Sequence, residues 1–127
     1  MIALALQQLL KSAGLPWVGV GTLGDFAPGA APRLSVYAAA GAGEGLYPVT
    51  VQVRARAADL VAAEGACAIA YDTILQARYT TLHWADGARS GAFDVRWIEA
   101  RDRPTWYPTP DPGEEAAVNF TVYVREA

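Results

Sequence analysis

Few residues in this chain could carry chemistry, and their types limit what that chemistry could be. His83 is the one histidine and Cys67 the one cysteine. A two-histidine metal centre is therefore excluded, and two N or S donors cannot complete a compact zinc site, which takes about four ligands. A carboxylate-based metal site has nothing in the sequence to mark it. A Cys67–His83 nucleophile pair would need an exposed thiol. Cys67 instead sits in Ala66-Cys67-Ala68-Ile69, on the apolar stripe of a predicted helix, so a buried and inert thiol is expected. His83 stands beside Trp84 at a strand end with no acid placed by sequence to orient it. Asp59, Glu64, Asp72, Asp94 and Glu99 have the spacing of a solvated surface.

The run GVGTLG, Gly19 to Gly24, matches GxGxxG. In a dinucleotide site that motif turns a strand into a helix whose N-terminus receives the pyrophosphate. Here Asp25, Phe26, Pro28, Gly29 and Pro32 follow, so no helix can begin where the phosphate would need it. An ordinary glycine-rich loop is the expectation, with no cofactor and no metal.

Arginine dominates the basic set, since Lys11 is the one lysine among ten Lys and Arg residues. Arg54 and Arg56 share one face of a predicted strand, while Arg96 lies in a second with Arg101 and Arg103 at its end. The planar guanidinium suits carboxylates and phosphates alike. Acidic residues outnumber basic ones and the net charge is -3, which favours salt bridges between subunits over a nucleic-acid backbone. Trp84, Trp97, Trp106, Tyr107 and Tyr123 add aromatics of the kind enriched at interface hot spots. Trp97 shares strand parity with Phe93 and Val95 and is expected in the core. Trp106 and Tyr107 stand in RPTWYPTPDPGEEAAVNF, Arg103 to Phe120, where four prolines predict a stiffened loop before a closing strand. Arg54, Arg56, Arg96, Arg101, Trp106 and Tyr107 are thus the candidate subunit or partner contacts.

The elements that must position these residues follow from periodicity. A chain of 127 residues, 53% hydrophobic and 18% charged, has the length and composition of one globular domain spanning 1–127. A single cysteine forms no internal disulfide, and a reducing compartment is expected. The start MIALALQQLLKSAG lacks a basic n-region, and Gln7, Gln8 and Lys11 interrupt its apolar run, so it reads as a short amphipathic helix over 2–13, without membrane association. WVGVGTL predicts a brief strand and DFAPGAAP a loop. RLSVYAA and YPVTVQVRARA, joined by AGAGEG, predict a hairpin. In its second strand Tyr47, Val49, Val51, Val53 and Ala55 face the core, opposite Thr50, Gln52, Arg54 and Arg56. From Asp59, a predicted N-cap, a helix of about 20 residues follows. Gly65 in its middle points to close packing on the sheet. TTLHW, AFDVRWIEA and AVNFTVYVRE predict three further strands, the last with Val118, Phe120, Val122 and Val124 on one face. The expected fold is α+β: a mostly antiparallel sheet with a short N-terminal helix and one long helix packed on one face.

Two stretches carry a family resemblance. YPVTVQVRARAADLVAAEGACAIAYDTIL is a strand ending in Arg-x-Arg that runs directly into a long helix, and PTWYPTPDPGEEAAVNFTVYVRE is a proline-rich segment before a closing strand. With the N-terminal helix and the WVGVGTL strand, the whole-chain pattern resembles the small tail terminator, or tail completion, proteins of long-tailed bacteriophages, also known as minor capsid proteins. The glycine- and proline-rich segment from Gly19 to Pro32 is longer than that pattern has it. The resemblance implies a non-enzymatic virion protein, assembled in the host cytoplasm and located at the head-proximal end of the tail. Such a subunit forms a homo-oligomeric ring, usually hexameric, that caps the tail tube protein, ends its polymerisation and docks to the head connector protein. DNA passes the lumen without specific binding. A neck or head-completion protein is the alternative, and a small ligand-binding domain or enzyme using the Gly19 to Gly24 loop is the second.

Overall fold

The computed structural model describes residues 1–15, 17–21, 31–39, 45–109 and 112–127. Most of the expected loop over 25–32, the second half of the GxGxxG match and most of the AGAGEG turn lie outside them.

Helix α1 (Ile2–Ser12) buries Ile2, Ala5, Leu6 and Leu10, the stripe that a 3.6-residue period sets on one side. Its polar flank is also used: the Gln7 amide donates to Val18 O at 2.7 Å and that of Gln8 to Ala85 O at 2.9 Å, tying the helix to two separate strands. The strands are β1 (Val18–Val20), β2 (Arg33–Ala39), β3 (Tyr47–Ala57), β4 (Thr81–Asp86), β5 (Arg89–Ala100), β6 (Thr105–Tyr107) and β7 (Glu114–Glu126), with helix α2 (Leu60–Leu75) between β3 and β4. They form one sheet in the order β1-β2-β3-β7-β5-β4, with β6 paired to β7 off that path. The chain is thus mixed helix and sheet, in keeping with the expected α+β class.

The last strand is the central one. β7 pairs antiparallel with β3 along its length, setting Val53 opposite Val118, Val51 opposite Phe120 and Val49 opposite Val122. All six side chains are buried, since period-two alternation in both strands sends the same parity inward. α2 packs over β3 and β7 through Ala63, Ala66, Cys67, Ala70 and Ile74, and Tyr71 meets the Phe120 ring at 5.9 Å. The Asp59 carboxylate accepts from Ala62 N at 2.8 Å and caps the helix.

Four expectations need correction. α2 is 16 residues long and not about 20, because Gln76 to Tyr79 turn away so that β4 can begin at Thr81. Gly65 is not explained by close packing on the sheet: it is exposed, and a Cβ there would meet nothing within 4 Å. Trp97 is not in the core. The register of β5 against β7 shifts between Val95 and Trp97, and this bulge at Arg96 reverses the parity, so that Ile98 is buried and Trp97 lies opposite Tyr123. Trp106 and Tyr107 belong to a strand and not a loop: β6 pairs with β7 at Ala116 and Glu115, with Pro104 and Pro108 flanking it where no ladder donor is needed. Among the described residues, four strands, not three, therefore follow α2. Among the described residues, no helix is long and apolar enough to cross a membrane.

Candidate functional site

The polar parity of the sheet carries the candidate residues, and the structure gathers some of them around one carboxylate. Arg56 on β3 lies opposite Glu115 on β7, with Arg54 one inward-facing residue away. Arg54 Nε and Nη2 donate to Glu115 Oε2 at 3.1 and 2.6 Å. Arg56 Nε donates to Glu115 Oε1 at 2.9 Å, its Nη2 also bonds Oε1, and it reaches Thr109 Oγ1 at 3.3 Å. Glu115 is fully buried and Arg56 nearly so. Two guanidiniums thus share the Glu115 carboxylate.

Aromatic faces also meet one of the two guanidiniums. The Arg54 guanidinium lies 4.3 Å from the Tyr107 ring centroid and 5.9 Å from that of Tyr37. Burial pulls the Arg54 pKa down, but the hydrogen bonds and charge of Glu115 outweigh it, and the net shift is upward. Arg54, Arg56 and Tyr107 are therefore brought together inside one subunit. At these positions the outward-facing guanidiniums turn onto Glu115. Ser35, opposite Arg54 on β2, is also fully buried, and its hydroxyl has no hydrogen-bond partner among the described residues.

The other candidates stand apart. Arg96 is exposed at the β5 bulge, and Arg101 is exposed just past the end of β5, where its N–H donates to Asn119 O at 2.8 Å. Trp106 is 52% exposed and donates its indole N–H to Glu114 Oε2 at 3.1 Å. At the other edge of β5, beyond the end of β4, Arg78 donates from Nε and Nη2 to Ile98 O at 2.9 and 2.7 Å. Its guanidinium lies 4.2 Å from the Trp97 ring centroid, and the Tyr79 ring lies 6.1 Å from Trp97. Tyr79 takes a left-handed φ of 62°, costly for an aromatic residue, and is 75% exposed.

Reasoning from sequence passed over Glu115, Asp102, Arg78 and Tyr79. Glu115 had a usable signal, because it falls on the polar parity of the closing strand with Ala117 and Asn119. Arg78 and Tyr79 have none, since the expected helix of about 20 residues has its end at them. Cys67 is buried as expected, and its thiol is pushed up to about 12, chiefly by burial and then by the charges of Asp102 and Glu64. His83 is exposed. Among the described residues, no three His, Cys, Asp or Glu side chains gather where they could hold a metal ion. Gly19 lies within β1, and Gly21 follows it at φ 72°. No protein-family model matches the chain, and no curated protein matches it in sequence.

Proposed function

We propose that this chain is a non-enzymatic structural subunit of the tail-terminator type, which forms a ring on the tail tube of a long-tailed phage, ends tube polymerisation and presents a surface to the head connector. The observation that carries this reading is the set of large aromatics left on the surface of a finished core: Tyr79, Trp97 and Trp106 are 75%, 43% and 52% exposed. Exposed Trp and Tyr beside arginine are the composition of interface anchors. The reading takes both helices to cover one face of a mostly antiparallel sheet. The opposite face is held rigid by the Arg54–Arg56–Glu115 cluster, a preformed surface with little entropy to lose on docking.

The test is purified protein mixed with tail-tube protein and followed by sedimentation velocity and negative-stain imaging. Rings, and tubes capped at one end, are the expected outcome. A persistent monomer that neither forms rings nor caps tubes overturns the reading. Trp106→Ala is expected to weaken assembly while leaving the fold intact, because the ring is half exposed and held by one hydrogen bond. Tyr107→Ala is expected to cost stability as well, since the ring underlies Arg54.

A further inference from the structure

We propose that the Tyr79–Trp97 patch of one copy of this chain receives the outer face of α2 of a second copy, in a head-to-tail contact. The inference rests on the ring-forming reading above and names the surfaces that would build the ring.

The patch is ready-made. Trp97 is fixed in β5 and Arg78 is held across its ring by two hydrogen bonds to Ile98 O, at 2.9 and 2.7 Å. Tyr79 stands beside Trp97, and Arg96 is exposed at the neighbouring bulge. Trp, Tyr and Arg held in place before binding are the residues that dominate interface energetics. Two carboxylates lie near: Asp94, engaged by Thr81 Oγ1 at 2.9 Å and Arg125 Nε at 3.3 Å, and Glu99, beyond Trp97 along β5 from Arg96.

The proposed occupant is apolar on both sides. The inner side of α2 is used by the sheet, yet Val61 and Ile69 are 82% and 49% exposed on its outer side. Gly65 and Ala68 lie between them at helical spacing, so the four form one continuous face. An apolar face left on the outer side of a helix marks an interaction surface. Glu64 and Asp72 flank this face, and α2 contains no lysine or arginine.

Charge decides which surface meets which. Two α2 faces brought together would set Glu64 and Asp72 against their own copies, and two Tyr79–Trp97 patches would set Arg78 and Arg96 against theirs. The helix-on-helix pairing sets acid against acid with no base to offset it, and the patch-on-patch pairing can offset its arginines only with Glu99 and with Asp94, which Arg125 already engages, whereas helix on patch sets the acids of α2 against Arg78 and Arg96. A contact between two different surfaces repeats from copy to copy and closes as a ring when the rotation allows.

The experiment uses two variants of the full chain. Ala68→Arg places a cation on the helix face, and Tyr79→Asn with Arg96→Glu removes the aromatic and reverses a charge on the patch. All three positions are exposed, and circular dichroism checks that the fold is kept; Glu64→Lys and Trp97→Ala serve as a second pair. In sedimentation velocity the wild type is expected to form assemblies larger than a dimer, and each variant alone to dissociate with a constant raised about tenfold or more. An equimolar mixture of the two is expected to give a one-to-one dimer and nothing larger, because a single intact helix–patch contact is left.

A mixture that stays monomeric, or a variant that assembles like the wild type, overturns the proposed contact. In the second case the ring reading stands on other surfaces. Assembly that follows the expected pattern without any capping of tail tubes supports the contact and overturns the tail reading. A wild type that stays monomeric overturns both.

Discussion

The carboxylate of Asp102 takes the backbone N–H of Asn119 at 2.7 Å and its side-chain amide at 2.8 Å. This contact sits where the partner strand of β7 is interrupted. β5 pairs with β7 up to Ala100 opposite Phe120, and β6 resumes at Thr105 opposite Ala117. Asp102 thus stands in for a ladder carbonyl, and Gln52 on β3 completes the arrangement by donating to Asn119 Oδ1 at 3.1 Å. Asp102→Ala is expected to cost about 1–2 kcal/mol, the range of a hydrogen bond to a charged acceptor near the surface. Amide exchange at Asn119 checks the assignment: faster exchange there, with Val118 and Phe120 little changed, is the expected pattern, and unchanged exchange at Asn119 contradicts it.

The Glu115 cluster predicts unequal effects from its members. Glu115 is fully buried and is the acceptor that both guanidiniums share, so Glu115→Ala is expected to cost about 3–5 kcal/mol in urea unfolding. Arg54→Ala should cost less, because Arg54 is 21% exposed and Arg56 still satisfies the carboxylate. The two effects should be strongly non-additive, as befits groups in one network. An additive double mutant would mean that the carboxylate does not couple them.

How much of this was legible in the sequence depends on whether one strand could be read by itself. The alternation in β3 gave its inward valines and its outward arginines correctly, because a strand buried on one face shows its period directly. The helix cap at Asp59 was legible for the same local reason. What the outward arginines touch was not, since Glu115 lies 61 residues from Arg54 and meets it through register alone. Trp97 was misread for a different cause: one extra residue at Arg96 inverts every later side chain, and nothing in RWIEA announces the insertion. The prolines around Trp106 and Tyr107 predict a loop. Those prolines flank a three-residue strand whose partner is set by the rest of the sheet.

Two glycines should respond in opposite ways to the same substitution. Gly65→Ala is expected to stabilise the monomer by up to about 1 kcal/mol, since the helix gains propensity and the new methyl meets nothing within 4 Å. At Gly91, which lies opposite Trp84 in the β4–β5 hairpin, a Cβ would come within 2.7 Å of the Trp84 indole nitrogen. Gly91→Ala must displace that ring and is expected to cost about 1–3 kcal/mol. Denaturation measures both, and a shift of Trp84 fluorescence in the Gly91 variant alone separates ring displacement from a general loss of stability.

Cys67 offers a probe of opening. Its thiol is buried under α2 and raised from 9.0 to about 12, so folded protein should resist alkylation and react only as the core opens. The same shift links stability to pH. Below 9.0 the thiol is protonated in both states and its contribution is fully present; as pH rises toward about 12 the unfolded thiol ionises while the folded one does not, and stability is lost. At about pH 10 the loss is on the order of 1 kcal/mol. Cys67→Ala should start less stable at about pH 8, because a buried sulfur is gone, and the gap to wild type should narrow by about that amount at about pH 10. A gap that stays constant across the interval would show that Cys67 ionises equally well in both states, which its burial against β3 and β7 does not allow.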